Sequence, residues 1–169
     1  MYKYPVIVFE GIETSGKSTN IKKVSSYLNN INRKFIKIRE PGGTIYSEII
    51  RKLILNNKSK FNFKTDLMLI MAARSENIDK ILKKNFGKKI ILIDRFVDST
   101  LAYQHYGMGI DLNFINSVNK FLLKNIKPNF TFLNLVSKKN MKLRLSRRKK
   151  NNRYDKFKSK FYNSVQSGF

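Results

Sequence analysis

The 169-residue chain carries 35 Lys and Arg against 11 Asp and Glu, a formal charge of +24, with 41% hydrophobic and 12% aromatic residues. That content separates it from disordered polycations, which are poor in aromatics and aliphatics, and the length suits one domain, residues 1–169, with a core of its own. The absence of cysteine excludes a disulfide framework, a thiol nucleophile and a thiolate zinc site, and the lone histidine, His105, excludes a histidine metal cluster.

Residues 5–10 (PVIVFE) predict a short buried strand. Residues 17–31 follow as a helix with Ile21, Val24, Leu28 and Ile31 on one face, then 35–39 (FIKIR) as a strand ended by Pro41-Gly42-Gly43. A helix over 44–55 leads into a basic, Asn-rich connection at 56–64. Residues 65–86 predict a long helix whose inner stripe is Leu67, Ile70, Met71, Arg74, Ile78, Ile81 and Leu82. An arginine in that stripe is the anomaly, since an unpaired charge there is costly; Glu76 and Asp79 are nearby candidates for its partner. Residues 89–94 (KIILID) form an apolar run of the kind buried on both faces of a parallel sheet. A helix over 111–125, a strand over 129–136 and two basic helical stretches from 138, broken near Asn151-Asn152, complete the order. Strands alternating with helices predict an α/β fold, three layers deep, around a parallel sheet.

Between the first strand and first helix, Gly11-Ile12-Glu13-Thr14-Ser15-Gly16-Lys17-Ser18 fits G-x-x-x-x-G-K-[ST], with Thr19 continuing into the helix. The glycines let backbone N–H groups converge on phosphate oxygens, and the helix N-terminus adds partial positive charge. These nine residues are therefore assigned to ATP binding, with Lys17 reaching the β- and γ-phosphates and Ser18 ligating Mg²⁺. Asp94, at the carboxyl end of the KIILID strand, faces the crevice of such a sheet and is the second candidate near Mg²⁺.

Three further patches are REPGGT (39–44), AAR (72–74) and DRF with STLAYQ (94–104). Together with FEGIETSGKST (9–19) they resemble thymidylate kinase, in family order and over nearly the whole chain. The resemblance implies phosphoryl transfer from ATP to dTMP. It places Arg39 and Arg95 on the dTMP phosphate, Arg95 also counting as catalytic with Lys17. It places Arg74, Thr100 and Gln104 around thymine, Tyr103 against the sugar and Glu13 near the 3′-hydroxyl, with Pro41 and Ser99 lining the same site. Ile70 departs from the family, which has Phe stacked on thymine at this position; the loss of a ring contact predicts weaker dTMP binding.

Residues 138–160 hold 12 basic residues and one acid, Asp155. Thr14 stands where some family members have an arginine, so the resemblance assigns a catalytic arginine to a lid at about 138–155. Arg148 is the first candidate, with Arg147 and Arg153 as ATP-binding alternatives; NRYD (152–155) resembles the family's DRFE, with Asn152 in place of Asp. The sequence ends before the last strand and helix that the resemblance implies. A homodimer through the 65–86 helix is a further implication. No apolar run approaches the roughly 20 residues of a membrane span, and MYKYPVIVFEG leads directly into a strand pattern, so a cytoplasmic enzyme without membrane or specific nucleic-acid partner is expected. The positive charge is spread along every segment with a surplus of Lys, Asn and Ile, the pattern of compositional drift. Two alternatives remain open: a kinase for another pyrimidine monophosphate such as dUMP, and an inactive homologue that binds nucleic acid.

Overall fold

A computed structural model describes residues 3–148 and 151–169; Met1, Tyr2, and Lys149 and Lys150 of the basic stretch lie outside the described residues. Strands β1 (Val6–Glu10), β2 (Phe35–Arg39), β3 (Ile90–Asp94) and β4 (Phe130–Leu133) form a parallel sheet in the order β2-β3-β1-β4. The register sets Phe9 and Arg39 both opposite Asp94, and Glu10 opposite Leu133. The carboxyl ends of all four strands therefore share one edge.

Side-chain alternation along β3 builds the layers. Ile91 and Ile93 join Val6, Val8 and Ile38 beneath Ile78, Leu82 and Ile126. On the opposite face Ile90 and Leu92 pack with Phe9 against Ile21 and Leu28 of helix α1 (Lys17–Asn30). The sheet is thus covered on both faces, which is why β3 reads as an unbroken apolar run. Helix α2 (Ile45–Leu55) starts at Thr44, whose Oγ1 accepts from Ser47 N at 3.1 Å. Helix α3 (Phe63–Asn77) starts two residues earlier than the periodicity implies, because Asn62 Oδ1 accepts from Thr65 N at 2.8 Å. The expected single helix then widens into a π-helical turn, Ile78–Leu82, before the short α4 (Lys83–Asn85); this turn sets both Ile78 and Leu82 into the core.

The largest difference from the sequence reading lies at 95–110, where no element was expected. Helix α5 (Val97–Thr100) runs on as a π-helix, Leu101–Gly107. It hides from periodicity because Ser99, Thr100 and Gln104 are buried along with Ala102 and Tyr103, so polar positions do not mark a solvent face. Helix α6 (Leu112–Leu123) is capped by Asp111, whose Oδ1 accepts from Phe114 N at 2.7 Å. Strand β4 is shorter than expected: Asn134 ends it by turning its amide onto Glu10 O and Phe132 O, 3.1 Å from each. Helix α7 (Lys138–Ser146), a 3₁₀ turn (Tyr154–Lys156) and helix α8 (Ser159–Ser167) follow; α8 packs on the 101–107 helix, where a Cβ on Gly107 would lie 2.6 Å from the Phe161 ring. No helix among the described residues is long and apolar enough to cross a membrane.

Candidate active site

The loop between β1 and α1 curls at Gly11, whose φ of 128° suits glycine and whose absent Cβ would fall 2.3 Å from Asn134 O. Gly16, at φ 99°, delivers the chain into α1. Lys17 is buried and donates to the loop carbonyls of Gly11 and Ile12 at 2.8 and 2.9 Å. Burial, reinforced by the positive charge of Arg95, lowers its pKa to about 7. Thr14 Oγ1 and Ser15 Oγ are buried without hydrogen-bond partners, the condition of donors that await phosphate oxygens. Ser18 Oγ lies 3.5 Å from Asp94 Oδ2, while Asp94 Oδ1 is buried and unpartnered. That hydroxyl and carboxylate are hard oxygen donors of the kind Mg²⁺ takes beside phosphates.

A cleft of about 640 Å³ extends from this loop across the carboxyl edge of the sheet. Glu10, fully buried at the end of β1, accepts from Phe96 N at 2.7 Å and Ser99 N at 3.2 Å and is bonded to Ser99 Oγ. Its carboxylate thus anchors the start of α5 and fixes the turn in which Arg95 takes a left-handed φ of 67°. From there Arg95 donates to Glu13 Oε1 at 3.0 Å and Ser99 Oγ at 3.2 Å and lies over the Tyr103 ring. Tyr103 OH donates to Glu13 Oε2 at 2.5 Å, so one carboxylate sets both side chains. Arg74 is 1% exposed and uses every N–H it has: Nε to Glu40 Oε2 at 2.7 Å, Nη1 to Asn119 Oδ1 and toward Met71 Sδ, and Nη2 to Phe96 O and Thr100 Oγ1. Its charge partner is Glu40, not Glu76 or Asp79. Over the cleft, Arg144 of α7 donates to Thr14 O at 2.8 Å, and Arg148 Nη1 donates to both carboxylate oxygens of Asp155 at 2.7 and 2.8 Å.

A family model for thymidylate kinase matches residues 9–169. The chain belongs to the thymidylate kinase family. It is 38% identical over 165 residues to the thymidylate kinase of Sulfurihydrogenibium sp. (strain YO3AOP1), covering 96% of this chain and 80% of that one. To the thymidylate kinase of Mycoplasma capricolum subsp. capricolum it is 38% identical over 169 residues, covering 96% and 78%. The crystal structure of thymidylate kinase from Ehrlichia chaffeensis superposes with a TM-score of 0.79 at 34% identity, covering 98% of this chain and 84% of that one.

Within this thymidylate kinase framework the cleft brings together most of the residues singled out by sequence. Glu13, Thr14, Ser15, Gly16, Lys17, Ser18 and Thr19 line it, as do Asp94 and Arg95; Pro41, Ile70, Arg74, Ser99, Thr100, Tyr103, Gln104 and Arg148 complete that set. Ile12 is instead buried in the core. Arg39 is not brought in: its side chain is 54% exposed and paired with Glu48 at 2.9 Å. Arg51 of α2 lines the cleft in its place, held by a 2.7 Å bond from Nη1 to Pro41 O. The signal was available, because Ser47, Arg51 and Ile54 share the inner stripe of α2, and a charge in that stripe is the same anomaly as Arg74. Arg153 turns away to Asp66, Arg147 does not line the cleft, and Arg144 does. Asn152, short of the family's carboxylate, uses its Oδ1 to accept from Tyr154 N at 2.8 Å and so caps the 3₁₀ turn.

Proposed function

We propose that this chain transfers the γ-phosphoryl group of ATP to dTMP, giving dTDP and ADP. The observation that carries this reading is a phosphate-binding loop facing, across one cleft, two guanidiniums from different elements, Arg51 and Arg95. Two such groups fit a dianionic monophosphate. With Arg95 locked by Glu13 and Ser99, and Arg51 by Pro41, the acceptor phosphate meets donors that are already oriented. Lys17 leaves the loop carbonyls for the β- and γ-phosphates, and Arg148 or Arg144 reaches the transferred group from the covering segment, residues 138–155. Ser18 and Asp94 would hold Mg²⁺, which would supply charge neutralisation on the phosphates. An oxygen of the dTMP phosphate attacks the γ-phosphorus as the bond to the β-bridging oxygen breaks, and ADP leaves with that electron pair. The nucleophile is already anionic, so no general base is needed, and positioning with charge stabilisation supplies the rate.

Ile70 and Gln104 give the base an apolar wall and one amide edge, which suits a pyrimidine, with Tyr103 beside the sugar. A homodimer is part of the proposal, supported by the exposed Ile45, Tyr46, Ile49 and Leu53 on α2 beside Phe63 and Met68 on α3. The test is ADP release from MgATP by the purified chain with dTMP, dUMP or no acceptor. Release that requires dTMP and falls with dUMP is the expected result; equal release without acceptor would overturn the assignment.

A further inference from the structure

A parallel sheet begins all its strands on one edge, and here that edge is at the far end from the cleft. Basic residues precede every strand: Lys3 before β1, Arg33 and Lys34 before β2, Lys88 and Lys89 before β3, and Lys127 before β4. Backbone bonds hold these starts side by side. Ile90 N donates to Lys34 O at 3.1 Å, Ile91 N to Pro5 O at 3.0 Å, and Asn129 N to Val6 O at 2.8 Å. Arg33 itself donates to Lys3 O at 2.6 Å. All six residues but Lys89, which is half-buried, are exposed.

The carboxylates are distributed the other way. Of the 11 in the sequence, all but Glu76, Asp79 and Asp111 belong to the cleft, its margin or the segment covering it. Of those three, Asp79 is already paired with Lys83. Drift in composition adds lysine everywhere; it does not clear carboxylates from one end of the molecule. Neighbouring strands lie about 4.8 Å apart, so four strand starts span about 14 Å, enough to meet several successive phosphates of a polymer rather than one mononucleotide. Two aromatic rings stand among the cations: Tyr4, with Lys3 Nζ 5.4 Å from its centroid, and Phe86, 41% exposed two residues before Lys88. Rings interleaved with cations suit stacking on unpaired bases. A membrane surface calls instead for an amphipathic helix with an apolar face, and this rim is made of turns and strand starts.

We propose that this rim binds single-stranded nucleic acid through its phosphates, without sequence preference, at a site separate from the nucleotide cleft. Six engaged cations give a slope of log affinity against log salt of about −4. The test uses a fluorescein-labelled oligo-dT and anisotropy across a salt series, with the full chain and two number-matched variants. K34Q/K88Q/K127Q removes three rim charges; K22Q/K52Q/K160Q removes three exposed charges elsewhere. The rim variant is expected to flatten the slope by about 2 while the control variant keeps it, both with unchanged dTMP-dependent ADP release. Equal weakening in the two variants would show that net charge alone binds the oligonucleotide and would overturn the proposal. So would displacement by MgATP with dTMP, which would place the oligonucleotide in the cleft. Rim-dependent binding to phosphatidylserine vesicles but not to oligo-dT would likewise overturn it in favour of a membrane surface.

Discussion

Lys17 shows how a phosphate loop can hold an unfavourable buried charge. Burial and the nearby guanidinium of Arg95 hold its pKa at about 7, against an ordinary 10.5. Between those values the unfolded chain keeps a proton that the fold sheds, so this group's cost to the unliganded fold is complete below pH 7 and fades as pH rises toward 10.5. A triphosphate brings anions to the same nitrogen and restores the ammonium form. Binding of ATP at pH 8 is therefore expected to take up ~0.9 proton per site at this residue. Titration calorimetry in two buffers of different ionisation enthalpy reads it, with Lys17→Met as the reference; identical proton counts in the two proteins would remove Lys17 from the phosphate site. Ile70 makes a second prediction at this scale. It is 8% exposed, lines the cleft and packs in the cluster that holds Ile54 and Tyr103. Ile70→Phe supplies a ring worth ~0.5–1.5 kcal/mol beyond area burial, so dTMP should bind roughly two- to tenfold tighter. Unchanged or weaker dTMP affinity would mean that the base does not lie against this side chain.

Helix α3 is the element whose interior is most polar, and its stability depends on a contact 34 residues away in sequence. Arg74 on α3 and Glu40 after β2 are 1% and 3% exposed, and their 2.7 Å pair is supported by Asn119, Thr100 and Phe96 O from two further elements. Removing one partner leaves the other charge buried. Glu40→Gln is accordingly expected to cost about 3–5 kcal/mol and to lower the unfolding midpoint by roughly 6–20 °C. The double variant E40Q/R74M should recover more than half of that loss in scanning calorimetry. Strictly additive losses would show that the pair is not the unit.

The same contact marks the limit of what the sequence displays. The phosphate loop, β1, β2, β3 and the inner stripe of α3 were legible because each is written in local order: glycine spacing, apolar runs and helical period. Glu40 as the partner of Arg74, Glu10 as the anchor of α5, and Arg51 in the cleft instead of Arg39 depend on which elements meet. For Glu10 the local hint was a carboxylate closing an apolar strand; its partners lie 86 and 89 residues on. The 97–107 helix was hidden for a different reason, since burial of its polar residues erased the stripe that reveals a helix.

At the scale of the whole molecule, the segment from 138 onward is a strap fixed more firmly from Arg153 on than along α7. Arg153 bonds to Asp66, lies over Phe61 and donates its N–H to Leu55 O at 3.2 Å, while Asn57 Nδ2 donates to Asn151 O at 2.8 Å. Beyond it, Tyr154 and Phe161 set their rings against Tyr103 at 6.0 and 6.1 Å, tying the strap to the wall of the cleft. Helix α7 by contrast buries Met141 alone and reaches the phosphate loop through Arg144. An element with few buried apolar contacts, held between fixed points, opens at low free energy. It carries Arg144 and leads into Arg148, the arginines offered to the phosphates, so nucleotide binding should close it. Trypsin is therefore expected to cut first within α7, and MgATP with dTMP to slow that cut by mass action. Asp66→Asn loosens the far anchor. It should add early cuts at Arg153 and Lys156 that nucleotides suppress less well, while cleavage of α1 stays slow. Early cutting confined to α7 in the Asp66→Asn protein would show that Asp66 does not hold the strap.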